Sequence, residues 1–418
     1  MSSLSPAVSR SRIVLGVSGG IAAYKACLLL RMFTEAGHDV VVVPTRSALE
    51  FVGETTWAAL SGHPVHTTVF DDAHEVPHVR LGRQADLVVV APATADLLAR
   101  AAVGRADDLL TNVLLTADCP VLMAPAMHTE MWSHAATRAN VATLRSRGIV
   151  VLDPAVGRLT GADSGPGRLP EPHEIHQVAL ALLARPQLAG AMAASDLAGR
   201  RVLVSAGGTR EPLDPVRFVG NSSSGRMGLA LAAAAASRGA EVTVVAANLD
   251  LPLPAGVESV AVVSTADLAE AMTARAGDAD VVVMAAAPAD FTPVTTSAKK
   301  LKKSGDQGLT VEFTQTVDVL QRLAASRPEG QVIVGFAAET AEDPDDLLAL
   351  GRAKLARKGC QLLVLNDVSG GRIFGSTATE ITIISPDGVV ARVNADKSVA
   401  AHAILDAARN VLIERRPS

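Results

Sequence analysis

The sequence predicts two doubly wound, Rossmann-like α/β domains in one chain, on three observations. Apolar residues make up 49% of the chain but aromatic residues only 3%, so the core is built from Ala, Val and Leu, as in parallel sheets covered by helices on both faces. A strand-like run, a glycine turn, an Ala/Leu run and a valine-rich run open at Arg12 ("RIVLGVSGGIAAYKACLLLRMFTEAGHDVVVVPT") and again at Arg201 ("RVLVSAGGTREPLDP", later "GRMGLALAAAAASRGAEVTVVAAN"). The run "ADLVVVAPATADL" from Ala85 is echoed by "ADVVVMAAAPADF" from Ala279, and offsets of 189 and 194 residues mark a duplicated architecture, not a short-period solenoid.

Taken in order, residues 1–11 read as a flexible tail, and a first domain begins at residue 12. Each valine-rich run bounded by a glycine turn is a buried strand, and each Ala/Leu run between them is long enough for a covering helix. The Ala/Gly-rich stretch "LLARPQLAGAMAASDLAGR" carries a proline and separates the copies. The boundary is placed near residue 190, giving domains 12–190 and 191–418. In such sheets ligands gather beyond the carboxyl ends of the strands, where the glycine turns, "VPTRS", "APATAD" and "AAAPAD" all fall.

A formal charge of −5 argues against a general nucleic-acid binder. Three scattered cysteines give no disulfide framework and fit a reducing cytoplasm. No apolar run approaches the roughly 18 residues of a membrane span, and no cleavable leader is visible, so a soluble cytoplasmic protein is expected.

The turn "GVSGGIA" offers main-chain N–H groups and a helix dipole to a phosphate, and a merely tight strand-to-helix turn is the alternative. It is not Gly-x-Gly-x-x-Gly, and no acidic residue closes the next strand to hold an adenosine ribose. Arg46 leaves NADP open, but Gly19 and the hydroxyls of Ser18, Thr45, Ser47 and Thr94 suit a mononucleotide phosphate and a flavin edge better. In the second half no P-loop motif occurs, and "GNSSSGRMG" is either a surface turn or a phosphate cradle. The lysines of "SAKKLKKSGDQG" are either a solvated charge run or a cover for a polyphosphate. In "PAMHTEMW", the spacing of His128 and Glu130 is that of a zinc deaminase. The Pro-Cys-x-x-Cys such a site needs is missing from a chain whose cysteines are Cys27, Cys119 and Cys360. Met123, Met127 and Met131 form either an apolar helix face or a wall over a flavin; Tyr24 reads as core or flavin-adjacent packing, and Cys119 as a small buried hydrophobe.

The ordered set "GVSGGIAAYK", "APATADL", "PAMHTEMW", "GPGR", "GGTREPLDPVRFVGNSSSGRMG", "KKLKK" and "GFAAET", spanning Arg12 to Ile413, resembles the bifunctional phosphopantothenoylcysteine decarboxylase/phosphopantothenate-cysteine ligase family of coenzyme A biosynthesis. The resemblance implies a flavodoxin-like, FMN-dependent decarboxylase half and a Rossmann-like, CTP- and Mg2+-dependent ligase half. The ligase joins 4'-phosphopantothenate to cysteine through an acyl-cytidylate, and the decarboxylase then releases CO2 to leave 4'-phosphopantetheine. It also implies decarboxylase trimers joined through ligase dimers into a dodecamer, with decarboxylase sites between subunits.

Carried onto this chain, the family's catalytic histidine is His78 in "PHVRLG", and an imidazole suits proton handling near neutral pH. His63 and His74, which lack the motif, are read as surface histidines. FMN contacts fall on Ser18, Gly19, Thr45, Ser47, Thr94 and Met127, and substrate contacts on His128, Met131, Gly165, Gly167, Arg168 and Arg217. In the ligase half, Asn221 stabilises the acyl-cytidylate and Lys300 meets the triphosphate. Met284, Ala285, Ala286, Asp290, Lys302, Asp318, Phe336, Lys354 and Lys358 are the other nucleotide contacts. Magnesium sits between CTP phosphate oxygens, its protein ligands unassigned.

Three departures stand out. His128 replaces the family's carboxylate-binding asparagine, and its imidazole can also donate a hydrogen bond. Gly161 occupies the place of the flap cysteine that protonates the enethiolate, so Asp163, Thr160, another residue or water does so. Thr316 and Val317 replace the Asn-Pro that precedes Asp318. Two other functions remain on the sequence: an NADP-dependent oxidoreductase, from the glycine turns and Arg46, and a noncatalytic regulator on the decarboxylase fold, from the missing cysteine.

Overall fold

A computed structural model describes residues 10–67, 77–158, 164–302, 308–340, 343–367 and 378–414. The chain falls into two compact units, Met1–Asp196 and Leu197–Ser418. The boundary expected near residue 190 lies inside a short helix of the first, Leu188–Ala193. Of the expected tail, residues 1–9 lie outside the described residues. Ser11 is already held, because its carbonyl accepts from the Asp39 amide at 2.9 Å.

In the first unit β1 (Arg12–Val17), β2 (Asp39–Pro44), β3 (Leu87–Ala93), β4 (Val121–Pro125) and β5 (Val150–Val151) form a parallel sheet in the order β2-β1-β3-β4-β5. That is the flavodoxin-like order, with its switch point between β1 and β3. Connecting helices are α1 (Ala23–Glu35), α2 (Arg46–Leu49), α3 (Glu54–Ser61), α4 (Pro77–Gln84), α5 (Ala95–Val103), α6 (Leu109–Thr116), α7 (Thr129–Ser133) and α8 (Ala135–Ser146). An antiparallel hairpin, β6 (Ala155–Arg158) with β7 (Ser164–Arg168), precedes α9 (Pro172–Ala184) and α10 (Leu188–Ala193).

Because successive side chains on a strand point to opposite faces, each buried run feeds two cores. Ile13, Leu15, Val40, Val42, Leu87 and Val89 pack with α1, α9 and α10, whereas Val14, Val41, Val88 and Val90 pack with α5, α6 and α8. Two-sided burial explains why these strands read as continuous apolar runs.

The second unit contains β8 (Arg201–Gly207), β9 (Glu211–Pro212), β10 (Phe218–Val219), α11 (Arg226–Ser237), β11 (Glu241–Ala247), β12 (Glu258–Val262) and α12 (Thr265–Ala276). There follow β13 (Val281–Met284), β14 (Phe291–Pro293), β15 (Phe313–Gln315), α13 (Val319–Ala325), β16 (Val332–Glu339) and α14 (Pro344–Lys358). The last elements are β17 (Leu362–Asp367), β18 (Ala378–Ser385), β19 (Gly388–Asp396) and α15 (Lys397–Glu414). The main sheet runs β12-β11-β8-β13-β16-β17-β18-β19, parallel as far as β17 and antiparallel over the last two strands. Its parallel part has the Rossmann order, with β8 as the first strand.

The duplication therefore covers the strand, turn, helix and strand that open each unit, together with β3 and β13, which pair with the other side of β1 and β8. The second unit adds an edge strand, a C-terminal antiparallel pair and two small hairpins, β9 with β10 and β14 with β15. On one face α11 and α15 pack together, and the fully buried Arg238 at the end of α11 pairs with Asp406 of α15 at 2.8 Å. Among the described residues no helix is long and apolar enough to cross a membrane.

Candidate active sites

In the first unit the turns after β1, β2 and β3 meet at the carboxyl edge of the sheet. Ser18, buried, is the clasp: its hydroxyl donates to the Pro92 carbonyl at 2.7 Å and accepts from the Thr94 amide at 2.9 Å. The Thr45 amide donates to the Val17 carbonyl at 2.8 Å. Gly19 is required by close approach, since a Cβ there would run into the Cβ of Ser47. Thr45 and Thr94 cap α2 and α5 with their side-chain oxygens. The structure thus brings Ser18, Gly19, Thr45, Ser47 and Thr94 together, but it gives the Ser18 proton to Pro92. Of these hydroxyl residues Ser47 is the exposed one. The start of α1 has no side-chain cap and no acidic residue in its first turn; its Ala23 and Lys25 amides donate to the Gly20 and Ala22 carbonyls at 2.9 and 3.0 Å, so what it offers an anion is the positive end of the helix dipole.

A second junction joins "PAMHTEMW" to "GPGR". The Met127 amide donates to the Gly167 carbonyl at 2.9 Å. Gly167 has φ of +155°, and a Cβ there would run into the Met127 carbonyl oxygen. His128 is the first flanking residue of α7, with its side chain exposed and not used as a cap. Met131 is 46% exposed, and the Thr129 hydroxyl is buried with no hydrogen-bond partner. Arg168 donates to Glu171, which also accepts from the buried Lys25 of α1 at 2.9 Å. Burial pushes the Glu171 carboxyl up, but Lys25 and Arg168 outweigh it and hold it below the usual carboxylate range. Sequence reasoning missed both Glu171 and Lys25, whose pairing spans 146 residues.

His78 stands in the first turn of α4, where its carbonyl accepts from the Thr116 hydroxyl of α6 at 2.9 Å and its Nδ1 is buried without a partner. No hydrogen bond among the described residues joins it to the Ser18 cluster. Gly161, Thr160, Asp163, His74 and Lys303 lie outside the described residues. His63 is partly exposed and bonded to Asp39 at 2.7 Å.

Some sequence expectations are corrected. Met123 is a buried strand residue, Met127 lies in a loop and Met131 in α7, so the three share no helix face. Tyr24 is 56% exposed and is not core, because its position on α1 faces away from the sheet. Cys119 packs against the apolar core, and burial raises its thiol to about 11.

In the second unit four segments converge beyond the strand ends. Buried Thr209, in the turn after β8, accepts from the Ala289 amide at 2.8 Å and shares a 2.9 Å hydroxyl contact with Thr265. Asn221 donates to the Pro288 carbonyl at 2.7 Å, which joins "GNSSSG" to "AAAPAD". Thr316 donates to the Ala289 carbonyl at 2.7 Å and its amide to the Asp290 carbonyl at 3.0 Å; the departure at this position therefore holds the same loop. Ser205 accepts from the Ala286 amide at 3.1 Å and lies against Met284 at 3.6 Å. That amide is consequently engaged within the fold.

Asp318 caps α13 and accepts from Lys358, while Lys354 donates to Glu339 at 2.7 Å near the end of β16, the strand that carries Phe336. Burial raises the Asp318 carboxyl, but Lys358 and the Gln321 amide prevail and set it below its ordinary value. Lys300 and Lys302 are exposed. Arg217 donates to the Leu301 carbonyl between them at 2.8 Å. Gly225 precedes α11, which has no side-chain cap and no acidic residue in its first turn. Among the described residues no group of three or more His, Cys, Asp or Glu could hold a metal by protein ligands alone.

Residues 1–184 match the model of the flavoprotein family, and residues 197–412 match that of the DNA/pantothenate metabolism flavoprotein C-terminal domain. The chain is 57% identical over 405 residues to the coenzyme A biosynthesis bifunctional protein CoaBC of Mycolicibacterium smegmatis, covering 95% of this chain and 97% of the relative. It is 40% identical over 405 residues to the protein of that name from Vibrio parahaemolyticus, covering 96% and 98%. A crystal structure of the C-terminal domain of a CoaBC protein is similar at 32% identity with a TM-score of 0.44, covering 53% of this chain and 99% of that one.

Proposed function

Because the chain belongs to the family of coenzyme A biosynthesis bifunctional proteins, we propose that its second unit ligates cysteine to 4'-phosphopantothenate and its first decarboxylates the product. The observation that carries this assignment is that, in each unit, motif segments far apart in sequence are hydrogen-bonded together beyond the carboxyl ends of parallel strands. Membership also removes the support for an NADP oxidoreductase or a noncatalytic regulator.

The residues of the first unit fit FMN: the uncapped start of α1 suits its phosphate, and Ser47 and the Thr94 turn suit the rest of the cofactor. Bound FMN supplies a reversible two-electron sink for the cysteinyl end of the substrate. The protein supplies position and protons. His128 binds the carboxylate that will leave, "GPGR" holds the substrate against the Met127 loop, and His78 handles a proton of the thiol or carboxylate. A neighbouring subunit would complete the site, as in the trimer the resemblance implies. Ile21, Tyr24 and Leu28, all more than half exposed, fit such a subunit contact.

In the second unit the carboxylate of 4'-phosphopantothenate attacks the α-phosphorus of CTP, pyrophosphate leaves, and the cysteine amine displaces CMP from the acyl-cytidylate. Lys300 and Lys302 counter the charge that grows on the departing pyrophosphate. Asn221, fixed by Pro288, presents its remaining amide groups to the acyl-cytidylate. Asp290, Phe336 and the Asp318–Lys358 and Lys354–Glu339 pairs surround the nucleotide, and Mg2+, held by the nucleotide itself, would supply further positive charge to its phosphates. The unpaired cysteines fit a cytoplasmic enzyme.

The test supplies phosphopantothenate, cysteine, CTP and Mg2+ and follows pyrophosphate and CO2. Asn221→Ala and Lys300→Ala are expected to abolish pyrophosphate-linked product formation while CO2 release from added phosphopantothenoylcysteine continues. Equal loss of both would contradict the division of labour.

A further inference from the structure

Asp214 lies in "EPLDPVR" with its side chain fully buried, and of the residues assigned above to nucleotide or substrate its side chain bonds to Arg217. Its Oδ1 accepts from the amides of Val216 at 2.8 Å and Arg217 at 2.9 Å, closing the turn on which it stands. Its Oδ2 accepts from the Leu301 amide at 3.1 Å, across 87 residues. The Arg217 guanidinium takes the Leu301 carbonyl at 2.8 Å and stands 3.7 Å from the same Asp214 oxygen. Both polar main-chain groups of Leu301 are thereby gripped by one turn. Two further bonds stitch the segments together: Ser297 N to the Leu213 carbonyl at 3.0 Å and Thr296 Oγ1 to the Pro212 carbonyl at 3.2 Å. The residues on either side of Leu301 are Lys300 and Lys302.

We infer that Asp214 is a positioning residue for ligation, which fixes the main chain at Leu301 so that the flanking lysines are held in place for the nucleotide polyphosphate. This rests on the ligase assignment of the second unit. Two long lysine side chains on an unanchored loop would lose much of their effect to conformational freedom. A carboxylate is the group suited to this task, because both its oxygens are acceptors while three amides and a guanidinium converge on it. Burial pushes the carboxyl up, but the amides of Val216, Leu301 and Arg217 outweigh it and keep it below the ordinary range.

Asp214→Asn keeps size but places an amide donor opposite one of these N–H groups. In the full-length enzyme the kcat/KM for CTP is expected to fall about 10- to 100-fold, the loss of a charge-assisted hydrogen bond, with CO2 release from phosphopantothenoylcysteine unchanged. Asp214→Glu, which restores the carboxylate, is expected to recover part of that efficiency. Without nucleotide, trypsin should cut after Lys300 or Lys302 faster in Asp214→Asn than in wild type, as mapped by mass spectrometry. An unchanged kcat/KM for CTP, a fall in it that follows a fall in melting temperature, or equal cleavage rates would each overturn the inference. Wild-type enzyme that releases no pyrophosphate from CTP would instead sink the ligase assignment, and the cleavage comparison would still decide the anchoring.

Discussion

Ser18 shows how a residue chosen for ligand chemistry turns out to be spent on the fold. A small hydroxyl after a strand and beside glycines reads as a phosphate contact, but its proton goes to Pro92 and its lone pair receives the Thr94 amide. Ser18→Ala leaves that part-buried amide unsatisfied. The expected loss is about 1–3 kcal/mol of stability, measured by denaturant unfolding, with weaker flavin retention measured by absorbance; unaltered unfolding would show that the clasp adds nothing. Asp318 carries a pH prediction. Its folded carboxyl is depressed, so its contribution to stability is fully present above the unfolded value of about 3.9 and is lost as pH falls through the lower folded value. The melting temperatures of wild type and Asp318→Asn should differ near neutral pH and converge below about pH 4. A constant gap would show that the Lys358 pair does not set it.

Among the secondary elements, the flap strand β7 depends on one glycine. Its φ of +155° and its contact with the Met127 carbonyl leave no room for a side chain. Gly167→Ala should move the strand off the His128 loop and reduce CO2 release by about 100-fold, the scale of a 1 Å misplacement, while CTP-dependent pyrophosphate release persists. Retained decarboxylation would mean the strand tolerates displacement. The glycine was visible in "GPGR", and its partner was not, since Met127 and Gly167 meet only through a hydrogen bond between a loop and a strand 40 residues apart. The small hairpins and the β18–β19 pair escaped notice for a related reason. The hairpin strands are too short for a period, and β18 mixes the alternation of an edge strand with buried isoleucines.

For the whole molecule, the two units have separate cores, and each sheet is buried on both faces by helices of its own unit. Residues 1–196 and 197–418, expressed apart, should therefore each unfold cooperatively. Flavin absorbance is expected to remain with the first and pyrophosphate release with the second. Failure of either piece to give a cooperative melt would show that its stability depends on the other.

The sequence by itself determined the fold class and pointed to the strand ends that carry both candidate sites, because apolar runs of strand length, glycine turns and their repetition are local signals. Local sequence also marked Gly19, Thr45, Thr94 and Asn221, each at a turn that the strand order must bring to the carboxyl edge. Tertiary structure alone decided which donors remain for a ligand and which are consumed by the fold. It turned Ser18 inward, joined Lys25 to Glu171, and set Asp214 beneath the lysine segment. A hydrogen bond is made by two groups whose separation along the chain leaves no periodic trace, so these contacts exist only once the chain has closed upon itself.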